Sequence, residues 1–276
     1  MKYECIEVSV EAGIAQVKLN QPQRLNSMTP AFWAEIPHAF RALDEAGGVR
    51  VAVLSSTGKH FSAGMDLSVF QGGGALGTKD VLARERFRQQ LRKLQESFNA
   101  IANARFPVIA AIQGGCIGGA VDMATACCLR YTTKDAFFCI QEINLGMMAD
   151  VGTLNRMPRQ LPDAVMRELA YTGDRLDAER AERLGFVNAW FDSAEALHAG
   201  VLEVARKIAA KAPIAIAASK EMISYARDHS VAESFAYLNA LQPGIFSPED
   251  IARAVLAPKG AVPEFADLAP VKPAMG

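Results

Sequence analysis

The sequence predicts an α/β core followed by a helical C-terminal part. Three observations carry that expectation. Short apolar runs bounded by turn residues alternate with helically spaced segments as far as about residue 150. Beyond that point helical spacing dominates. The 276 residues are 50% apolar and 21% charged, enough for a sizeable core in one large domain or two intimate ones.

Residues 5–10 and 14–20 run apolar or alternate around Glu11-Ala12-Gly13, which predicts a β-hairpin. Thr29-Pro30 pairs an N-cap with proline at the first helical position. Trp33, Ile36, Phe40 and Leu43 keep helical spacing, and Gly47-Gly48 stops the helix. Residues 51–55 read as a short buried strand. A loop over 60–70 leads into a glycine cluster at 71–77, which predicts a mobile segment. In the long helix that follows, Phe87, Leu91, Leu94, Phe98 and Ile101 form one apolar stripe. Arg84, Arg86, Arg88, Arg92 and Lys93 decorate the rest, either as a solvated face or as a contact to a phosphorylated ligand. Residues 107–112 are a second buried strand, 120–128 a helix of small apolar residues, and 136–140 a third strand. Helices are expected over 161–171, 177–184, 194–210, 214–227 and 231–241. Residues 258–276, with Pro258, Pro263, Pro270 and Pro273, read as an extended tail.

Lys+Arg total 29 against Asp+Glu 30, so the net charge is −1. That balance gives no global attraction for nucleic acid or an anionic membrane. Mean hydropathy is +0.09, high enough to suggest buried subunit interfaces. No run of about 18 apolar residues occurs, so no membrane-spanning helix is expected. Neither the start, Met1-Lys2-Tyr3-Glu4-Cys5, nor the end, Pro273-Ala274-Met275-Gly276, carries a targeting signal, and a cytoplasmic enzyme is the expectation. Among five cysteines, Cys116, Cys127, Cys128 and Cys139 sit in apolar segments and read as reduced core residues.

Two glycine turns stand out: Ser62-Ala63-Gly64-Met65-Asp66, and Gly118-Gly119 between a strand and a helix. Such turns leave free N–H groups, and two that converge make an oxyanion hole. Tight helix–strand packing is the other reading. The spacing fits neither a phosphate loop nor a dinucleotide fingerprint. Asp122 lies within an apolar helix, which is costly unless the carboxylate is paired or functional. Glu142 follows a strand end, as a catalytic group or an exposed terminus. Asp150 follows the apolar stretch 145–149, as a catalytic group or a helix N-cap. A Ser62/His60/Asp66 triad is too local to form, and His38, His60, His198 and His229 are scattered with no metal constellation.

At these residues the sequence resembles the crotonase (enoyl-CoA hydratase/isomerase) superfamily, from about Tyr3 to about Leu256. The resembling pieces are Val17-Lys18-Leu19-Asn20-Gln21-Pro22, Phe61-Ser62-Ala63-Gly64-Met65-Asp66-Leu67, Pro107-Val108-Ile109-Ala110-Ala111-Ile112, Gly118-Gly119-Ala120-Val121-Asp122 and Glu142-Ile143-Asn144-Leu145-Gly146. Within the superfamily the dienoyl-CoA isomerase branch is most similar. Its members carry Asp, Glu and Asp where this chain has Asp122, Glu142 and Asp150, whereas hydratases carry Glu at the first place and typically Gly at the third. Gly114-Gly115-Cys116-Ile117, Ala149-Asp150-Val151-Gly152-Thr153 and Arg227-Asp228-His229-Ser230-Val231-Ala232-Glu233-Ser234 also match that branch.

The resemblance implies an α/β, crotonase-like ββα spiral core over 1–205 that binds a CoA thioester. A helical trimerisation region and tail over 206–276 would follow, in a homotrimer or a hexamer built as a dimer of trimers. It implies an acyl-CoA partner, no nucleic acid or membrane, and no cofactor beyond the coenzyme A of the substrate. The thioester oxygen would sit between the backbone N–H groups of Met65 and Gly119, with Ala63, Gly64, Met65, Asp66, Leu67 and Gly119 binding substrate. Glu142 would be the base at C2 and Asp150 the acid at C6, with Asp122 orienting or tuning the pair. The apolar neighbours Met147, Met148 and Ala149 are expected to raise the pKa of Asp150, and the stretch 71–78 to shape the acyl pocket. The rivals are a 2-enoyl-CoA hydratase using Asp122 and Glu142, another acyl-CoA reaction of the superfamily, and an RNA-binding relative.

Overall fold

The computed structural model describes residues 2–71 and 80–272. The expected glycine-rich mobile segment and pocket-shaping stretch, 71–78, fall outside the described residues apart from Gln71, and so does the last proline of the tail.

The predicted hairpin is β1 (Ile6–Glu11) against β2 (Ile14–Leu19), antiparallel with Ile6 opposite Leu19. From β2 onward every pairing in the main sheet is parallel: β3 (Val51–Ser56), β4 (Val108–Ile112), β6 (Leu129–Thr133) and β9 (Ala189–Phe191), in the order β1-β2-β3-β4-β6-β9. A second sheet is small: β5 (Gly115–Ile117), β7 (Phe137–Cys139) and β8 (Arg175–Asp177).

Each turn of the chain visits the main sheet, then the small sheet, then a helix. β3 is followed by a bridge from Ser62 to Cys116 of β5, by the short helix α2 (Ser68–Gln71) and by α3 (Val81–Asn103). β4 is followed by β5 and α4 (Gly119–Ala126). β6 is followed by β7, α5 (Thr153–Arg156) and α6 (Asp163–Thr172). This is the expected ββα spiral. The part beyond residue 150 is mostly helical, as expected, but it also holds β8 and β9, which the sequence pattern does not single out. The three-residue strands β5, β8 and β9 are too short to show a period of two.

Strand periodicity explains how the main sheet is covered on both faces. Ala52 and Leu54 of β3 point into the larger core with Val17, Ala110 and Phe40. Val51 and Val53 point the other way, onto Leu197, Val201 and Ala205 of α8 (Ala194–Ala209). A strand buried on both faces reads as a continuous apolar run, as β3 and β4 do.

Helix α1 (Pro30–Ala46) starts where Thr29 accepts the Phe32 N–H and ends at Gly47, as predicted. Its buried Glu35 accepts the N–H groups of Glu4 and Cys5 at 2.6 and 2.8 Å, pinning the N-terminus. The stripe of α3 is buried only in its C-terminal half, where Phe98 meets Phe32 and Trp33 edge-on or tilted. Arg84, Arg86, Arg88, Arg92 and Lys93 are all exposed, which fits a solvated face and equally leaves them open to a phosphorylated ligand. Cys128 is exposed rather than buried: α4 ends at Ala126, and the chain turns out before β6.

The remaining helices are α7 (Ala178–Arg183), α9 (Pro213–Asp228), α10 (Val231–Ile245) and α11 (Pro248–Leu256); α11 was not expected. Ser230 and Glu233 form a capping box at the start of α10, which gives that matching motif a structural role. The extended tail is strapped back onto the core: Val271 N–H reaches Glu45 O, and Arg50 holds Asp267 at 2.6 Å. No helix among the described residues is long and apolar enough to cross a membrane.

Phe98 is fully buried where α3 locks onto α1. Phe98→Ala is expected to cost about 3–5 kcal/mol in urea unfolding, because the rigid α1–α3 contact cannot collapse onto the void. A loss below about 1 kcal/mol would mean that α3 is not anchored there.

Candidate active site

A cavity of about 450 Å³ opens where the ends of the small sheet meet α1 and α4. Its walls include Ala63, Met65, Asp66 and Leu67 from the first glycine turn and Gly119 and Asp122 from α4. Glu142 and Asp150 come from the stretch after β7. The fold thus brings together all the sequence-picked site residues except Gly64, which lies behind the wall.

Gly64 has φ +82, and a Cβ there would stand 2.4 Å from Ile117 O. Only glycine lets this turn come so close to the β5–α4 junction. The approach sets two amides side by side. A Cβ built on Gly64 would lie 3.2 Å from Gly119 N, and one on Gly119 would lie 4.0 Å from Met65 N. Neither the Met65 nor the Gly119 N–H has a hydrogen-bond acceptor among the described residues. Gly119 N–H is unsatisfied because it opens α4. Met65 bridges Met28 through its neighbours, as Met28 N–H donates to Gly64 O and Asp66 N–H to Met28 O. Two such N–H groups at one wall can stabilise a developing oxyanion.

Asp66 is held rigidly beside them. It accepts from Arg24 Nη2 at 2.6 Å, Ser27 Oγ at 3.0 Å and Ser68 N–H at 3.0 Å. The Ser68 bonds, with Ser27 and the Arg24 charge behind them, hold its pKa down at about 2. It is an ionised structural acceptor there.

The three other carboxylates behave oppositely. Asp122 is 1% exposed, and burial, then the Glu142 charge, push its pKa up to about 7. Glu142 is raised by burial and by the charge of Asp150, and Asp150 by burial. Glu142 sits on a single 3₁₀ turn (Gln141–Leu145), its Oε1 3.2 Å from where a Cβ on Gly118 would be. Of the apolar neighbours expected to desolvate Asp150, Met147 lines the cavity and Ala149 is buried, but Met148 is 71% exposed and does not line the cavity.

The helix-cap alternative for Asp150 fails. The N-cap of α5 is Gly152, with no side-chain cap, and the first N–H of that helix, from Thr153, donates to Asp122 Oδ1 at 2.5 Å. Asp122 thus takes the capping bond across the fold and leaves Asp150 free to face the cavity. His60 also has a local role, since its Nδ1 accepts the Gly115 N–H at 2.8 Å.

Sequence reasoning missed several groups. Trp33, read only as part of an apolar helix face, lines the cavity; its indole N–H has no partner among the described residues. Gln95 donates to the backbone oxygen of Asp150 at 2.8 Å, and Asn99, one turn on, accepts from Arg156 at 2.5 Å. Both lie on the polar side of α3, and nothing local in the sequence marks them.

The chain is similar to known proteins over most of its length. The enoyl-CoA hydratase/isomerase family model matches residues 9–259. The mitochondrial Delta(3,5)-Delta(2,4)-dienoyl-CoA isomerase of Homo sapiens is 37% identical over 259 residues, covering 92% of this chain and 79% of that protein. The peroxisomal protein of the same name from Arabidopsis thaliana is 36% identical over 257 residues, covering 92% of each. Among solved structures, an enoyl-CoA hydratase from Bacillus anthracis superposes with TM-score 0.86 at 25% identity, covering 95% of this chain and 99% of that one. One from Polaromonas superposes with TM-score 0.84 at 26% identity and the same coverage.

The raised pKa of Asp122 has a stability consequence. Between its ordinary value of 3.8 and about 7, the folded chain keeps a proton that the unfolded chain releases. Stability therefore falls as pH rises through that window, by up to about 1.4 kcal/mol per unit, and the penalty is complete above it. Asp122→Asn keeps an acceptor for Thr153 and removes the penalty. The variant should gain on the wild type by a few kcal/mol between about pH 4 and pH 8 in urea unfolding. A pH-independent difference would contradict the assignment.

Proposed function

The chain belongs to the enoyl-CoA hydratase/isomerase family, and on that premise we propose that it converts 3,5-dienoyl-CoA to 2,4-dienoyl-CoA. The observation that supports this reading best is the third carboxylate: Asp150 lines the cavity with Asp122 and Glu142, released from helix capping by the Asp122–Thr153 bond. The similar proteins named dienoyl-CoA isomerases point the same way.

The reaction removes a proton at C2 and gives one at C6. The thioester makes the C2 proton weakly acidic, and its loss puts charge on the thioester oxygen. That oxygen would bind between the Met65 and Gly119 N–H groups, where loss of one donor costs about 2.7–4 kcal/mol of transition-state stabilisation. The charge also spreads along the conjugated chain to C6. Moving the double bonds therefore needs an ionised carboxylate at one end and a protonated one at the other. Glu142 acts at C2 and Asp150 at C6.

That division is the one the family resemblance implies; the electrostatics supply the retained proton the chemistry needs. Glu142 feels the charge of Asp150, and Asp122 feels both. Like charges on the wall of one partly buried cavity resist ionising together, so the cluster retains a proton near neutrality. Proton transfer by such groups is worth about 10²–10⁴-fold. Coenzyme A enters as part of the substrate, with 63–67 as its seat, and no further cofactor is needed.

The hydratase alternative needs a water held between Asp122 and Glu142. Asp122 is almost wholly buried and its Oδ1 already accepts the Thr153 N–H, so one of its two oxygens is committed to holding the fold. We also propose that the chain assembles as a trimer or a dimer of trimers through α9–α11. There Ile223, Phe235, Val255 and Leu256 are between 60% and 79% exposed, more apolar surface than a monomer usually leaves open.

Two outcomes test this reading. With 3,5-octadienoyl-CoA the protein should generate the ultraviolet absorbance of the conjugated 2,4-dienoyl thioester, and Asp150→Asn should lower kcat by about 10²–10⁴-fold with an unchanged circular dichroism spectrum. Hydration of crotonyl-CoA without diene conversion, or full activity in Asp150→Asn, would overturn it. In sedimentation equilibrium the protein should exceed monomer mass, and Phe235→Glu should shift it toward the monomer. A wild-type monomer at assay concentration would refute the assembly.

A further inference from the structure

Arg156 belongs to no part of the chemistry described so far, yet its surroundings are built around it. It ends α5, whose first N–H binds Asp122. Its side chain folds back along its own helix, and Nη2 donates to Asn99 Oδ1 of α3 at 2.5 Å. A Cβ on Gly152 would stand 1.9 Å from Nη1, so the guanidinium fills the space that any other residue at 152 would occupy. Gly152 also has φ +150, a conformation that side chains resist. The Val-Gly-Thr of the matching 149–153 motif thus acquires a physical reason: Gly152 seats Arg156 and Thr153 binds Asp122.

Nη1 is enclosed and has no hydrogen-bond partner among the described residues. A cationic N–H left so is costly unless a field compensates it. Asp122 on α4 supplies that field, with a smaller favourable contribution from Cys127 and an opposing one from Arg227 on α9, itself 3.7 Å from Asp228. Asp122 in turn faces Glu142 and Asp150. Gln95 and Asn99, four apart on α3, hold the two ends of the segment 150–156: one by the Asp150 carbonyl, the other by Arg156.

We propose that Arg156 is a positioning residue for the carboxylate cluster: braced by Asn99 and seated over Gly152, it fixes the 150–156 segment against Asp122 and supplies that carboxylate with its counter-charge. The inference rests on the reading of Asp122, Glu142 and Asp150 as the reacting cluster. It predicts that removing the cation makes Asp122 hold its proton to higher pH.

The test follows the neutral carboxyl of ligand-free protein by infrared difference titration, with the Asp122 band identified by its loss in Asp122→Asn. Arg156→Gln should move the titration midpoint up by about one pH unit. Arg156→Lys, which keeps the charge, should leave it near the wild-type value. Asn99→Ala, which only loosens the brace, should give a smaller upward shift and carries the test where Arg156→Gln does not fold. In diene conversion, the acid limb of the kcat profile should move with the midpoint while KM stays unchanged. An unmoved midpoint, with activity lost equally at every pH and in step with thermal stability, would make Arg156 merely structural and overturn the proposal. A shifted midpoint in a protein that does not isomerise dienes would uphold Arg156 and refute the isomerase reading instead.

Discussion

The hydrogen bond from Thr153 N–H to Asp122 Oδ1 ties the two halves of the site together. Asp122 belongs to α4, whose first turn carries the Gly119 amide; Thr153 opens α5, just after Asp150. A carboxylate so enclosed is tolerable only with a strong donor or a retained proton. Asp122 has both, since its pKa is raised to about 7 while it accepts the helix N–H. The geometry around it follows. The ββα spiral brings the β5–α4 and post-β7 junctions to the same end of the small sheet, and Gly64 lets the first glycine turn press against them.

The cavity is polarised as a result. One wall carries the amides of Met65 and Gly119, without acceptors among the described residues; another carries three carboxylates whose proton affinities burial has raised. Asp66, close by, shows that residue type does not set this behaviour. Donors from Ser27, Ser68 and Arg24 drive its pKa down instead of up. Helix α3 backs the carboxylate wall through Gln95 and Asn99, while its N-terminal half has no fully buried side chain.

Much of this was legible in the sequence, for identifiable reasons. The hairpin, the Thr29-Pro30 start of α1, its Gly47 stop and the stripe of α3 are local signals of turn chemistry or periodicity, and the chain obeys them. The glycine turns and the carboxylates at 122, 142 and 150 were visible as residues out of place in apolar surroundings. Other features were hidden because they depend on contacts distant in sequence. The strands β5, β8 and β9 are held by pairing, not propensity. The capping of α5 by Asp122 spans 31 positions, and the Asn99–Arg156 bond 57. Cys128 looked like core because its apolar neighbours do not reveal that the chain turns outward after Ala126.

The central claim is that two different carboxyl groups work at the two ends of the migrating diene. Isomerisation in deuterium oxide tests it most directly, with the position of label in the product read by nuclear magnetic resonance. An acid that exchanges with solvent before each turnover should place one deuterium at C6. An unlabelled C6, its hydrogen carried over from C2, would mean that a single group moves the proton along the chain and would contradict the account.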